Sequence, residues 1–490
     1  MSARVLPDDA GIMHPEGMQE VEIAGIRREQ LRAVLSDERN DAFDKAASAA
    51  RSLLDGRVVW NVSATAQGGG VAEMLQTLLA LARGVGVDTR WLVLSGNPEF
   101  FAVTKRLHNV LHGEPGDGGP LGAAERDVLT ETLRGNLDQM LPRIRPGDLV
   151  LVHDPQPAGM VRALRETGAK VVWRCHIGRD VPNELSEAGW AFLRPMIEDA
   201  DAFVFSRHAY APGWLADDRL QIITPSIDPL SAKNVPLTDA QVESTLGFAG
   251  LLAGAADPRS VGFVRRDDTL GMTRPHTTLD LNPAPIPAES RLVTQVSRWD
   301  RLKDMGGVMT GFVAAIGGLP DDVHLLLVGP DVSGVSDDPE GASNLAECRD
   351  LWERLPDHQR DRVHLICLPM DDVEENAHLV NALQRRAAVV VQKSLVEGFG
   401  LTVTEAMWKG CSVVASGIGG IQDQIVDGDN GLLLPDPYDL DAFAQNLERL
   451  VTDPDLAARL GTAAHTEVYE RFLSDTHLEA YADLFLTMME

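Results

Sequence analysis

The chain has 490 residues, with 44 Lys and Arg against 73 Asp and Glu, so its formal net charge is −29. At roughly 100–200 residues per domain, this length predicts two large domains or three small ones. Apolar residues make up 44% of the chain, as in folded soluble proteins. The acidic excess argues against nucleic acid and anionic membranes as partners, because both require basic patches. It does not exclude a phosphate-bearing small molecule held by a few basic and backbone N–H groups.

The cysteines and the N-terminal sequence indicate a reduced, cytoplasmic protein. None of the four cysteines belongs to a C-x-x-C pair, so we predict neither a zinc knuckle nor a thioredoxin-like motif. We expect Cys175 and Cys367, which lie in apolar runs, to be buried. We find no signal-peptide pattern and no run of 18 apolar residues, so we expect no transmembrane helix.

Short apolar runs alternate with longer amphipathic stretches in both halves, which predicts βα units around parallel sheets. Because the runs are apolar throughout, they are typical of central strands covered on both faces. The strands predicted in the first half are Arg57–Asn61, Thr89–Leu94, Asp148–Asp154, Lys170–His176 and Asp201–Ser206. Those of the second half are Arg291–Ser297, Val323–Gly329, Arg362–Leu368, Ala387–Gln392 and Ser412–Ser416.

Between these halves, residues 234–289 show no clear strand and end in a Pro-rich linker, whereas residues 439–490 have a helical pattern throughout. We therefore predict an α/β protein with two Rossmann-like domains facing a cleft. The predicted domains are 1–235, to which residues 471–490 return, and 291–470, joined by an irregular or helical linker at 236–290.

The most informative segment, Lys393–Gly410, follows a predicted strand and opens a helix. Its loop, Gly398-Phe399-Gly400, lets backbone approach a ligand closely, and the helix behind it directs free N–H groups and partial positive charge there. Glu397 lies before the loop, and Glu405 lies eight positions further on, in the helix. Because a carboxylate accepts two hydrogen bonds from vicinal hydroxyls, the two glutamates are candidates to bind two sugar rings.

Basic side chains and histidines follow other predicted strands, at the edge where open α/β sheets bind ligands. Arg298 and Lys303 follow the first strand of the second half, where two cations could stabilise a departing diphosphate. The pair His153-Asp154 and the residue His176 each lie at the C-terminal end of a predicted strand of the first half. A glycine run at residues 68–70, before a helix, is a further candidate for close approach to phosphate or sugar.

Several other classes of site are not predicted. The two D-x-D sequences, at 427–429 and 453–455, resemble polar turns, so we expect no metal site. The nucleophile elbow G-x-S-x-G and the phosphate-binding loop G-x-x-x-x-G-K-[ST] are both absent from the sequence.

At these residues the sequence resembles the retaining glycosyltransferases of family 4, which have the GT-B fold. The glutamates Glu397 and Glu405 match the E-x7-E signature of that family, and Arg298 and Lys303 match its basic pair. The resemblance extends from about Val58 to Leu486. It implies that the C-terminal helices pack back on the N-terminal domain.

A narrower resemblance, to the trehalose-forming glycosyltransferases, lies in the N-terminal half. Those enzymes join a nucleotide-activated glucose to free glucose, and the retaining trehalose phosphorylases are their relatives. The segments that match are Gly68–Glu73, Phe100–Gly113, His153–Pro157, Trp173–Ile177 and Pro225–Asn234.

The resemblance implies a role for each candidate. Arg298, Lys303, Glu397 and His176 would form the catalytic group, with the two cations on the diphosphate and His176 beside the transferred sugar. The donor-binding group would be Gly69, Gly70, Gly398, Phe399, Gly400, Leu401 and Glu405, with Glu405 on the ribose. The acceptor-binding group would be Lys105, His108, Asn109, His153 and Asp154.

One position departs from the family pattern. The trehalose enzymes usually have Asp after the sequence W-R-C-H-I, whereas this chain has Gly178, which leaves the preference for acceptor or donor open. Residues 247–285 also do not match.

The expected reaction is retaining, metal-independent transfer of glucose from a nucleoside diphosphate glucose, such as UDP-glucose or ADP-glucose, to free glucose. No cofactor is expected beyond this co-substrate, magnesium is not expected to be essential, and the relatives suggest a homodimer. Phosphorolysis of trehalose, transfer to another small sugar, and binding of a sugar nucleotide without turnover are the alternatives.

Overall fold

The computed structural model describes residues 17–23, 25, 28–66, 70–254, 256–276, 279–282, 286–332 and 339–489. These residues form two compact units. The first is built on Asp44–Ile223 and includes the described residues up to 25 and those of 481–489. The second is built on Thr224–Ala480 and includes residues 28–43. The domain limits at 235, 290 and 470 stay predictions. In the structure the chain enters the second unit between residues 25 and 28, returns to the first after residue 43, and changes unit again after residues 223 and 480.

The first part of the chain, up to residue 222, supplies seven strands and seven helices among its described residues. The strands are β1 (Gln19–Val21), β2 (Val59–Ser63), β3 (Thr89–Val93), β4 (Leu149–His153), β5 (Lys170–Cys175), β6 (Ala202–Phe205) and β7 (Leu220–Ile222). The helices are α1 (Arg28–Arg32), α2 (Asp37–Leu53), α3 (Gly70–Gly84), α4 (Pro98–Leu111), α5 (Ala123–Met140), α6 (Val161–Glu166) and α7 (Glu184–Ile197).

The sheet of the first unit has the order β1-β3-β2-β4-β5-β6-β7. Strand β1 is antiparallel to β3, and the other neighbours are parallel. Strands β2 and β4 lie side by side although β3 falls between them in sequence, so the strand order reverses there. Ligands of open α/β sheets bind beyond the carboxyl ends of the strands at such a point.

The second part of the chain adds eight strands and nine helices among its described residues. The strands are β8 (Gly262–Val264), β9 (Leu270–Met272), β10 (Arg291–Val296), β11 (Val323–Pro330), β12 (Val363–Leu368), β13 (Ala387–Gln392), β14 (Val413–Ser416) and β15 (Leu432–Leu434). The helices are α8 (Asp239–Phe248), α9 (Met305–Ala315), α10 (Pro339–Glu353), α11 (Asp357–Arg360), α12 (Val373–Arg386), α13 (Leu401–Trp408), α14 (Leu440–Thr452), α15 (Pro454–Arg471) and α16 (Ser474–Met489).

The main sheet of the second unit is entirely parallel and has the order β12-β11-β10-β13-β14-β15. Its order reverses between β10 and β13, so the loops that follow these two strands meet at one edge. Separate apolar clusters, one including Phe312 and Phe443 and the other Leu326 and Leu379, lie in this unit. The predicted α/β fold with parallel sheets is confirmed.

Several details differ from the sequence predictions, among them the edge strands β1, β7 and β15, which were not predicted. Residues 234–289 were expected to lack strands, but β8 and β9 form an antiparallel hairpin there. Each of these strands has three residues, too few for a visible alternation of apolar and polar positions. Cys175 is buried as expected, whereas Cys367 is only partly buried.

Candidate functional site

In the second unit, the loops after β10 and β13 are held together by one buried side chain. The amide nitrogen of Gln295 donates to the carbonyl oxygen of Lys303 over 2.7 Å, and the amide oxygen of Gln295 accepts from the N–H of Lys393 over 3.0 Å. The N–H of Leu395 also donates to the carbonyl oxygen of Leu302 over 2.7 Å. These bonds hold the backbone of the loop containing Lys303 beside the loop that leads to Glu397.

Lys303 and Glu397 form an ion pair at this edge of the sheet. Lys303 Nζ lies 2.6 Å from Glu397 Oε2, and the side chains are only 17% and 12% exposed. The hydroxyl of Ser394 donates to the same carboxylate oxygen over 3.2 Å. An ammonium has three N–H donors, so Lys303 can hold Glu397 and still donate to an anion.

Arg298, the other member of the predicted basic pair, lies differently. Its guanidinium is 59% exposed and pairs with Asp300 over 3.1 Å. The structure therefore brings Lys303 to Glu397 but shows Arg298 bound to an aspartate close to it in sequence. A flexible exposed arginine can still turn towards an anion, because its present ion pair is weak.

The glycine loop before α13 is held closely against the segment around Gly420. Gly400 has φ +89°, in the left-handed region that favours glycine, and it caps α13, which begins at Leu401. The carbonyl oxygen of Gly398 accepts from the N–H of Gly420 over 3.1 Å. A Cβ atom at Gly420 would lie 2.7 Å from the Cα of Phe399, so a side chain there would displace the loop. The loop thus has one well-supported backbone conformation before the helix N-terminus.

Glu405, the second signature glutamate, has a lysine partner of its own. It is buried on α13, and Lys233 Nζ lies 3.4 Å from its Oε1 atom. Lys409 Nζ donates to the backbone oxygen of Glu405 over 3.0 Å and to the amide oxygen of Asn234 over 3.1 Å. Burial lowers the pKa of Lys409 to about 7, although the charge of Glu405 acts in the opposite direction.

In the first unit, the structure brings His153 and His176 together at the carboxyl ends of β4 and β5. Their rings are stacked, with centroids 5.7 Å apart, and His153 Nδ1 lies 3.4 Å from His176 Nε2. His153 Nε2 lies 3.0 Å from the amide oxygen of Asn61, on the neighbouring strand β2. Because that oxygen only accepts, a hydrogen bond to it requires the proton on Nε2 of His153.

Asp154 turns the chain at the end of β4. Its backbone φ is +66°, and its carboxylate accepts the N–H of His176 over 2.8 Å. Burial raises the pKa of Asp154 to about 7, against the opposing effects of the His176 N–H and of Arg174. Burial, aided by Arg174, lowers the pKa of His153 to about 3, so that imidazole is neutral at physiological pH.

The three acceptor-side candidates on α4 do not share one environment. Lys105 is exposed, whereas His108 is partly buried with its ring 4.9 Å from that of His112. His112 Nδ1 in turn lies 3.1 Å from the carbonyl oxygen of Gly178. Asn109 lies against the turn at Gly116, since a Cβ atom there would be 3.1 Å from the Asn109 amide nitrogen. The end of α4 is thus connected to the loop that follows His176.

The structure explains why Gly178 departs from the family pattern. A Cβ atom at this position would lie 2.1 Å from Cγ of Tyr210, which is buried. The guanidinium of Arg207 lies 5.7 Å above the Tyr210 ring and forms an ion pair with Asp180. Tyr210 therefore occupies the space into which an aspartate at position 178 would extend.

Sequence reasoning missed Asn61 and Lys233, which contact candidate residues. The signal for Lys233 was present, because it belongs to the segment Pro225–Asn234 that resembles the trehalose-forming enzymes. Gly69 lies outside the described residues, and Gly70 is the first residue of α3.

The described part of the chain shows neither a metal cluster nor a membrane-spanning helix. No cluster of three or more His, Cys, Asp or Glu side chains there is arranged to hold a metal ion. No helix in the same residues is both long and apolar enough to cross a membrane.

The fold is that of a GT-B glycosyltransferase. Residues 373–467 match the family described as glycosyl transferases group 1, and residues 61–212 match the N-terminal domain of trehalose synthase. A trehalose-6-phosphate synthase structure has a TM-score of 0.65 at 15% identity, with 88% of this chain and 98% of that chain covered. Sucrose-phosphate synthase from Thermosynechococcus elongatus, with a TM-score of 0.58 at 20% identity, covers the same shares.

Relatives of higher sequence identity define the family within the glycosyltransferases. A trehalose synthase of Thermococcus litoralis is 34% identical over 94% of this chain and 97% of its own length. A trehalose synthase of Rubrobacter xylanophilus is 33% identical over 89% and 92%. The chain belongs to the trehalose synthase family, and it is a glycosyltransferase.

Proposed function

We propose that the protein transfers glucose from a nucleoside diphosphate glucose to free glucose, with retention, and so forms trehalose. The observation on which this rests most is the Lys303–Glu397 pair beside the glycine loop that opens α13. An ammonium beside a helix N-terminus suits the phosphates of a sugar nucleotide, and a carboxylate suits the hydroxyls of its sugar.

The proposed mechanism is a front-face substitution at the anomeric carbon. The bond between glucose and phosphate breaks through an oxocarbenium-like state, and Lys303, Arg298 and the N–H groups at α13 stabilise the departing diphosphate. The leaving phosphate takes the proton of the attacking hydroxyl. Glu397 is not the nucleophile in this scheme, because it is assigned to the hydroxyls of the donor sugar. Glu405 holds the ribose.

We assign the acceptor to the first unit. The neutral His153, the partly buried Asp154 and His176 offer donors and acceptors for the hydroxyls of an uncharged sugar. Lys105, His108 and Asn109 on α4 are the further acceptor candidates. We keep the glucose assignment open to other small sugars, since the space beside Gly178 is filled by Tyr210.

Phosphorolysis of trehalose is the second candidate. A trehalose phosphorylase of Pleurotus pulmonarius is 27% identical over 87% of this chain, although the alignment spans only 56% of that relative. In that reaction the cations proposed for the donor diphosphate would hold inorganic phosphate instead.

A matrix of nucleoside diphosphate glucoses against free sugars tests the proposal, with products and anomeric configuration identified by NMR. We expect trehalose with the α-configuration retained, and activity without added magnesium and with EDTA. A second arm supplies trehalose and phosphate without nucleotide. Release of glucose 1-phosphate in that arm alone would show that the protein carries out phosphorolysis and not synthesis. Products with a β-linkage from the donor glucose would overturn the retaining mechanism. Light scattering of the purified protein tests the proposed homodimer, and fractionation of cells tests the proposed cytoplasmic location.

A further inference from the structure

A hollow lined by arginines lies in the first unit, at the edge of the sheet where β2, β3 and β4 begin. Its volume is about 540 Å³, within the range of small-molecule sites. Five arginines line what we call the arginine hollow, namely Arg51, Arg57, Arg90, Arg143 and Arg145. Two aspartates, Asp55 and Asp88, also line it, so the lining has an excess of positive charge in a chain whose net charge is −29.

Two of these arginines are held by backbone carbonyl oxygens. Arg57 donates from Nη1 to the carbonyl oxygen of Gly147 over 2.9 Å, and Arg51 donates from Nε to that of Val85 over 3.1 Å. Gly147 has φ +87°, and a Cβ atom there would lie 2.8 Å from Arg57 Nη1. A carbonyl oxygen orients a guanidinium without cancelling its charge, so both side chains keep N–H donors for an anion.

The other arginines differ in how far their charge is offset. Arg90 lies over the ring of Trp60 at 5.3 Å and is 3.4 Å from Asp88. Arg143 is 3.2 Å from Glu20, in a pair whose side chains are both 44% exposed, so solvent screens it. Arg145 has an exposed side chain, while its backbone N–H donates to the buried carboxylate of Asp148 over 3.0 Å.

The ordinary role of such arginines is to hydrogen-bond the carbonyl groups at helix C-termini, and Arg51 and Arg57 do bind carbonyl oxygens. That role accounts for single side chains, but it does not require five arginines around one concave surface. A planar guanidinium matches the geometry of phosphate oxygens, and several around one hollow suit an anion of more than one charge.

We propose that the arginine hollow binds a small phosphate-bearing molecule. The site is distinct from the one proposed for the sugar acceptor, which lies at the carboxyl ends of the same strands, about 13 Å away along a five-residue strand. A concave site of this size favours a small phosphate compound over a flat polyanion. The inference does not depend on the proposed reaction.

Calorimetric titration with inorganic pyrophosphate tests the proposal, and sodium chloride at equal ionic strength is the control for screening. Because the second unit also has a proposed diphosphate site, the titration uses the full chain with Lys303→Ala. Into this background we introduce Arg57→Gln with Arg145→Gln. The matched control is Arg134→Gln, an exposed arginine on α5 of the same unit that pairs with Glu131.

We expect saturable binding in the Lys303→Ala background, weakened by at least about tenfold in the double Arg→Gln variant and unchanged in the control. Arg145→Gln alone changes an exposed side chain, so it keeps the test valid if the variant at Arg57 unfolds. We expect this single variant to lower the affinity for pyrophosphate by at least about threefold. Absence of saturable binding, or equal affinity in all variants, would overturn the proposal.

Discussion

The candidate sites of the two units handle charge in different ways. In the second unit each signature glutamate has a lysine partner, with Lys303 on Glu397 and Lys233 on Glu405. In the first unit His153 is kept neutral by burial, and the pKa of Asp154 is raised to about 7. The second unit therefore presents charged side chains in ion pairs. The first unit presents a neutral imidazole and a carboxyl group whose pKa lies near neutral pH.

This difference agrees with the partners proposed for each half. A diphosphate gains negative charge as its bond to glucose breaks, so preorganised cations lower the barrier. A free sugar has no charge, so neutral imidazole and a carboxyl group supply hydrogen bonds without the cost of burying an unpaired ion. Substitution of the groups on which this contrast depends tests it in each unit.

The largest effect is expected at the Lys303–Glu397 pair. Lys303→Ala and Glu397→Ala should each lower kcat by about 10²- to 10³-fold, the loss typical of one group that stabilises developing charge. Circular dichroism should show an unchanged fold, and initial rates of trehalose formation provide the measurement.

The matched control is Arg301→Ala, which removes an exposed cation two residues before Lys303. It should keep at least half of the activity. Near-native turnover in either pair variant, or an equal loss in the control, would show that the pair does not serve the reaction.

A smaller but still large effect is expected from Gly178→Asp in the first unit. The new Cβ would collide with Tyr210, so the loop after His176 must move and activity should fall by about 10- to 100-fold. Tyr210→Ala in the same chain relieves the collision. The double variant should therefore be more active than Gly178→Asp alone, by steady-state rates with glucose as acceptor. Additive losses would contradict the steric explanation.

The sequence predicts the main sheet of each unit well because each buried parallel strand is a continuous apolar run. It also places Glu397, Glu405 and Lys303, since their spacing relative to strands and glycines is local. It could not show that Tyr210 fills the space at Gly178, because that contact joins residues 32 positions apart with no pattern between them. The edge strands β1, β7 and β15 were not predicted, because three residues are too few to show an alternation of apolar and polar positions.

The pH dependence of stability should change in Asp154→Asn. A raised pKa means that the folded state holds a proton which the unfolded state releases above pH 3.8. The contribution of Asp154 to the free energy of unfolding is therefore complete below pH 3.8 and is lost as the pH rises to about 7. Asparagine cannot ionise, and it tolerates the left-handed backbone conformation at this position. The variant should therefore not lose stability at this position as the pH rises.

Urea unfolding of both proteins at pH 5 and pH 8 measures the effect. The free energy of unfolding of Asp154→Asn, relative to wild type, should rise by about 1 to 3 kcal/mol between the two values. The opposite shift at His153, whose lowered pKa makes stability fall below pH 6.5, is present in both proteins and cancels. A pH-independent difference would mean that Asp154 has an ordinary pKa.

The smallest effect is expected at Lys233. If Glu405 holds the ribose of the donor, Lys233→Ala removes the group that orients its carboxylate but leaves the carboxylate itself. The KM for the sugar nucleotide should rise by about three- to tenfold with kcat nearly unchanged, because an interaction present equally in ground and transition states affects binding alone. Lys233→Arg should recover part of the loss. A fall in kcat without a change in KM would instead place Lys233 with the groups that act on the departing diphosphate, and the two lysine–glutamate pairs would then share one role.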